Sequence, residues 1–299
     1  MVTASLTVVK YLSAGRMTVV ECKRCLKREV GVIAKYIFTA LDGALLNDLG
    51  NLTTTTAMAL NNLGVPLSIV TGRAAFELTP ILKRLQTDAP QIAFHGALIY
   101  APRTGKKSLL GAWPLQPLAM MALIRSLLAS FPTLGISVFD AQHGYSVREA
   151  AGSRYKLLGR KRLEVLPIQQ LFGTKLKEVY KISLVAATPE TVQAVAEFLH
   201  RLHLRDIRTV AVGTTQLDIV SRDARPTRGI DYIMTRYRLY AGDIVYFGCH
   251  DDEVRAADFA GVQIAMANAE PALRADADYV TASNNDNGVA LALQRFRLL

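Results

Sequence analysis

The chain has little sulfur and little aromatic mass: three cysteines, one tryptophan and 7% aromatic residues in 299. The odd, low cysteine count (Cys22, Cys25 and Cys249) argues against a disulfide framework and fits a reducing, cytoplasmic setting. Cys22-Lys-Arg-Cys25 has the spacing of half a zinc knuckle, but no second pair or nearby histidine completes four ligands, so it reads as incidental. Long apolar runs are missing too. None reaches the roughly 18 residues that would span a bilayer, so no membrane segment is expected. Acidic residues are short: 25 against 35 Lys and Arg, for a formal charge of +10. The surplus gathers around Lys23 to Arg28 and Lys156 to Arg162. Such clusters can hold nucleic acid. No zinc-finger spacing, basic zipper or aromatic-basic RNA motif accompanies them, so they read as solvated faces and nucleic acid is not an expected partner.

What is there suits a packed protein of two ordinary domains: 51% hydrophobic and 20% charged residues. Residues 1–33 read as a separate extension. Val2 to Leu12 is apolar but broken by Lys10, no basic segment precedes it, and Ser13-Ala14-Gly15 is a poor cleavage site. A signal peptide is therefore not expected, and Met17 is read as the start.

From Lys35 onward strands and helices alternate. Lys35 to Leu41 reads as a strand ending at Asp42-Gly43, and Thr53 to Leu63 as a helix stopped by Gly64. Leu67 to Val70 is a second strand, closed by Thr71-Gly72-Arg73. A helix over 75–85 and a strand from Gln91 to Phe94 follow. The middle differs. Strands are expected at 136–139 and 145–147, at 179–185, and as a hairpin at 209–212 and 216–220, with a helix at 189–200 whose inward residues include Val195 and Leu199. The leucines of the preceding segment, Leu123, Leu127 and Leu128, read as core. Alternation then returns with a helix at 229–237, a strand at 244–247, a helix at 253–259 and strands at 262–265 and 279–281. The fold class is α/β: a parallel sheet covered on both faces, with an inserted α+β domain. In open parallel sheets ligands sit beyond the carboxyl ends of the strands. Those ends are Ala40 to Asp42, Thr71 to Arg73, Phe94 to Gly96 and Gly248 to Glu253.

In order, these ends resemble the motifs of Cof-type phosphatases (subfamily IIB) of the haloacid dehalogenase superfamily. The family pattern D-x-D-G-T-L-L reads here Ala40-Leu41-Asp42-Gly43-Ala44-Leu45-Leu46. T-G-R is intact as Thr71-Gly72-Arg73, N-G-A reads His95-Gly96-Ala97, and K-G reads Arg228-Gly229. G-D-x-x-N-D reads Gly248-Cys249-His250-Asp251-Asp252-Glu253, and the tail matches at Asn268, Asp278 and Asn284. The resemblance covers roughly residues 34–299. It implies a Rossmann-like core over 34–101 and 222–299 and a cap over 102–221.

The resemblance also assigns roles. The family's first aspartate attacks phosphorus and its second is the acid and base. Mg²⁺ is held by the first aspartate, by the backbone of the second and by the first aspartate of the fourth motif. Asp42 stands at the acid/base position and is the expected catalytic residue. Ala40 stands at the nucleophile position, and a methyl group cannot attack phosphorus. Cys249 replaces a metal ligand, and hard Mg²⁺ prefers carboxylate oxygens to sulfur, so no metal is expected. Gly43, Thr71, Gly72 and Arg228 are the expected substrate-binding residues, with Arg228 keeping the family lysine's charge in a planar fork. The resemblance thus implies a non-catalytic or severely impaired homologue that binds a small phosphorylated metabolite. Two rivals are a working phosphatase using Asp42, water and the acidic residues 251–253, and a basic interaction scaffold. Blander readings accompany each residue: Asp42 as a turn residue, Thr71 as a helix cap, Arg73 as a brace, His95 as a hydrogen-bonded loop histidine, and Cys249 as a small buried filler.

Overall fold

The structure, a computed structural model, describes residues 9–13, 16–20, 34–103, 106–148, 157–158, 163–165, 178–250 and 259–296. The strands in chain order are β1 (Val9–Ser13), β2 (Arg16–Val20), β3 (Tyr36–Ala40), β4 (Leu67–Val70), β5 (Gln91–Ala93), β6 (Leu98–Arg103), β7 (Lys106–Ala112), β8 (Gly135–Phe139), β9 (Gly144–Arg148), β10 (Glu164–Val165), β11 (Lys181–Val185), β12 (Ile207–Val212), β13 (Gln216–Ser221), β14 (Ile244–Gly248), β15 (Val262–Ala265) and β16 (Tyr279–Val280). The helices are α1 (Thr54–Asn61), α2 (Thr79–Leu85), α3 (Pro117–Ser130), α4 (Pro189–Arg201), α5 (Pro226–Tyr237), α6 (Pro271–Asp276) and α7 (Gly288–Arg295). Two compact units result: residues 1–70, 84–89 and 230–299, and residues 71–83 and 90–229.

In the first unit five strands lie side by side in the order β16-β15-β14-β3-β4, all parallel. Every residue of β3, β4 and β14 is buried, the near-continuous apolar pattern of strands covered on both faces. The register pairs Ala40 with Val70, Phe247 with Thr39 and Gly248 with Ala265, so these strands finish at one edge. Thr53 caps α1 by accepting a hydrogen bond from the Thr56 amide. Gly64, at φ 62°, closes that segment in a left-handed turn.

In the second unit β5, β6 and β7 form an antiparallel meander. A six-stranded sheet runs β10-β9-β8-β11-β13-β12, antiparallel except for β10 with β9. Helices α3 and α4 bury Leu123, Leu127, Val195 and Leu199 in a core with Ile136, Ile182 and Ile219, while Leu128 packs at its margin. Burying a leucine side chain contributes about 1.5–3 kcal/mol, so this layer alone can hold the sheet to its helices.

The structure differs from expectation in a few places. Helix α2 starts at Thr79 rather than 75, because Glu77 turns back to accept the Ala74 amide and pairs with Arg73. Strand β5 stops at Ala93 because Phe94 takes a positive φ. Strands β6, β7 and β10 and helices α6 and α7 were not expected. Pro102 breaks the strand pattern of β6, and the six residues of α6 are too few for a helical period to show. Residues of the expected extension form a hairpin, β1 with β2. The expected helix at 253–259 and the acidic residues Asp251, Asp252 and Glu253 fall largely outside the described residues, as do Cys22, Cys25 and both basic clusters.

Candidate functional site

In the first unit the site residues stand just past the strand edge. Ala40 ends β3 and is 1% exposed, so its methyl is a packed core group. The following turn is closed by the Leu46 amide donating to the Leu41 carbonyl at 3.0 Å, with half-buried Asp42 bridged to Leu46. Gly43 sits at φ 71°, and a Cβ there would come within 2.5 Å of Cys249 Sγ. Asn268 ties the two together: its amide nitrogen donates to the Gly43 carbonyl at 2.9 Å and to Cys249 Sγ at 3.3 Å. Asn284 extends the brace, donating to the Leu46 carbonyl at 2.9 Å and to Asp48 at 3.0 Å, while its own amide donates to Asn268. Hydrogen bonds from Asn284 and Asn285 hold the Asp48 carboxyl below its ordinary range. The tail asparagines are therefore fasteners of the first loop.

Among the described residues, this donor set does not fit the Mg²⁺ that the family resemblance implies. The two positions that should offer carboxylates carry a methyl and a buried thiol, and that thiol already accepts from Asn268. Cys249 is enclosed while the adjacent His250 is exposed and reaches Glu270 at 3.4 Å, so the two side chains diverge.

In the second unit Thr71 accepts a hydrogen bond from the Arg73 amide at 3.1 Å. That is a local turn and not a helix cap, since α2 begins six residues beyond Arg73. Arg73 braces, pairing with Glu77 at 3.1 Å. Gly72 has no room for a side chain: a Cβ would lie 2.1–2.7 Å from the His95 ring. Gly96 is equally tight against the backbone of Arg225 and Pro226, so the 94–97 loop is wedged between the Thr71-Gly72 turn and the start of α5. Helix α5 carries exposed Arg228, whose guanidinium lies 5.2 Å from the Trp113 ring centroid and 3.3 Å from Asp223.

Beneath this turn is a polar cluster that the sequence reading missed. Asp218, 1% exposed, accepts from Ser183 Oγ at 2.7 Å and Gln216 Nε2 at 2.9 Å, lies 2.9 Å from His95 Nε2, and pairs with Lys181 at 3.1 Å. Lys181 also donates to the Gly72 carbonyl at 2.9 Å. Burial opposes ionisation of Asp218, but the Lys181 charge together with the His95 and Ser183 hydrogen bonds overrides it and holds the carboxyl well below the usual range. The signal was available: a lysine and an aspartate interrupt the apolar strands KISLV and QLDIVS, and buried charges need partners. The cluster is not a nucleophilic triad. Ser183 bonds the carboxylate and not the imidazole, so no base is placed to activate it.

Comparison with known proteins agrees with the fold. The sequence profile of the haloacid dehalogenase-like hydrolases matches residues 37–293. The 5-amino-6-(5-phospho-D-ribitylamino)uracil phosphatase YitU of Bacillus subtilis is 24% identical over 264 residues, which cover 86% of this chain and 95% of its own. A haloacid dehalogenase-like hydrolase from Bacteroides thetaiotaomicron superposes with a TM-score of 0.76 at 19% identity, covering 88% of this chain and 99% of that one. The HAD subclass IIB sugar phosphatase BT4131 superposes with a TM-score of 0.69 at 18% identity, covering 89% and 100%. With the profile spanning most of its length, this chain belongs to the haloacid dehalogenase-like hydrolase family, in its Cof-type branch.

Proposed function

We propose that this protein binds a small phosphorylated metabolite through Thr71, Gly72 and Arg228, and does not turn it over by an aspartyl-phosphate route. The observation that supports the reading is the buried methyl of Ala40 at the end of β3, a position that the motif resemblance assigns to the family's attacking carboxylate. Asp42 remains at the acid/base position, but general acid-base help is of no use to that route without a nucleophile. The loss has a compensating consequence. At an effective dielectric near 20, a carboxylate about 4 Å from a unit of phosphate charge is repelled by roughly 4 kcal/mol. With a methyl at 40 and a thiol at 249, these two positions add no such repulsion to a bound anion. The name of YitU, a phosphatase of a phosphorylated ribityl compound, supports the ligand class. In this reading residues 102–221 act as the cap that selects the ligand.

The test uses the full chain in EDTA with glucose 6-phosphate and ribose 5-phosphate as probes. Expected are a rise in Tm with either probe, loss of that rise in Arg228→Ala, and no phosphate release from an aryl phosphate when Mg²⁺ is added. Mg²⁺-dependent release that disappears in Asp42→Asn would overturn the reading in favour of a working phosphatase.

A further inference from the structure

Three successive residues after β5 hold positive φ: Phe94 at 53°, His95 at 54° and Gly96 at 91°. Two of them are not glycine, and such strain persists only where the surroundings enforce it. Here the Phe94 amide donates to the Arg73 carbonyl, the His95 amide to the Thr71 carbonyl, and Arg208 Nη2 to the His95 carbonyl at 3.3 Å. The result is an imidazole set against Gly72, directly beside Thr71.

The two ring nitrogens have different surroundings. Nε2 faces Asp218 at 2.9 Å, and an ionised carboxylate only accepts hydrogen bonds, so Nε2 carries the hydrogen. Nδ1 has no hydrogen-bond partner among the described residues, and the side chain is 11% exposed. This is an imidazole oriented by a carboxylate, with its other nitrogen left for something else. The charged groups facing it are Asp218 from β13, Lys181 from β11 and Arg208 from β12. Asp218 and Lys181 balance one another and Arg208 adds one positive charge, so a proton on Nδ1 adds a second positive charge next to the Thr71-Gly72 turn.

We propose that His95 is a further anion-recognition residue: Asp218 fixes Nε2–H, and protonated Nδ1 donates to an oxygen of the phosphate group bound beside Thr71. This rests on the phosphate-binding reading above and adds to it a pH-dependent affinity. The resemblance places asparagine at this position in the family, and asparagine cannot gain charge.

The experiment titrates the full-length protein with sulfate, whose charge is constant over the range, and with inorganic phosphate, at pH 5.5 and pH 8.0 by calorimetry. For sulfate, wild type is expected to bind about tenfold more tightly at pH 5.5, the scale of one charge-assisted hydrogen bond. His95→Asn, which tolerates the left-handed backbone, should reduce that ratio to less than about twofold. In wild type the His95 ring resonance, assigned through its proximity to the Gly72 protons, should shift on sulfate addition. That measurement decides the matter even if the variant does not fold. Equal pH ratios in wild type and His95→Asn, or a ring resonance unmoved by saturating sulfate, would overturn the assignment to His95. If Arg228→Ala still lost binding, the phosphate-site reading would stand. Wild type that binds neither anion at either pH would sink both.

Discussion

Cys249 fills the space that a side chain on Gly43 would need: a Cβ there would lie 2.5 Å from Sγ. Gly43 is thus required twice, by its left-handed φ of 71° and by the thiol. Gly43→Ala should cost about 2–4 kcal/mol, combining roughly 1–2 kcal/mol for the backbone with overpacking against sulfur. Adding Cys249→Ala should return part of that, leaving about the backbone share. Urea unfolding of the two single variants and the double closes the cycle. Additive losses would show that the two residues do not touch.

Restoring the family carboxylates tests the site directly. Ala40→Asp with Cys249→Asp puts two carboxylates into a buried place, so the variant should be less stable than wild type without metal. Mg²⁺ should then raise its Tm, by mass action on the folded state, and leave wild type unmoved. Some aryl phosphatase activity should return with the metal. A double variant whose Tm ignores millimolar Mg²⁺ would mean that residues 40 and 249 do not share one site.

The Lys181–Asp218 pair sets a stability that depends on acid. Asp218 in the folded state holds its carboxyl well below the ordinary range, so the unfolded chain takes up that proton more readily. The stabilisation is therefore complete above the unfolded value of roughly 4 and is lost as pH falls toward the folded one. Asp218→Asn strands a buried lysine and should cost about 3–5 kcal/mol at pH 7. It should also flatten the decline of stability between pH 4 and 2.5, measured by urea unfolding at several pH values. An unchanged acid slope would contradict the pairing.

Most of the first unit could be read from sequence because its strands are continuous apolar runs ending at polar turns; Leu67–Val70 was bounded to the residue. The candidate residues Gly43, Thr71 and Gly72 lie just past the ends of β3 and β4, where the motifs had put them. What stayed hidden depended on distant partners. His95 looked like an ordinary loop histidine because Asp218, 123 residues away, orients it. The brace from Asn268 to Gly43 spans 225 residues and leaves no local pattern. The late start of α2 follows from the Arg73–Glu77 pair, which helical periodicity does not reveal.

Trp113 is the only tryptophan and lies under the Arg228 guanidinium, so it reports on that residue. Asp223, at 3.3 Å, is an intramolecular competitor for any phosphate that Arg228 would hold. The pair is largely exposed, and exposed pairs are worth about 0.2–1 kcal/mol. Asp223→Asn should therefore tighten phosphate binding by about two- to fivefold, read as the midpoint of a Trp113 emission titration. Arg228→Lys keeps the charge but loses the planar fork and its stacking, so the emission change on binding should shrink while some affinity remains. Looser binding in Asp223→Asn would show instead that the carboxylate positions Arg228, and that Arg228 meets the ligand with Asp223 still attached.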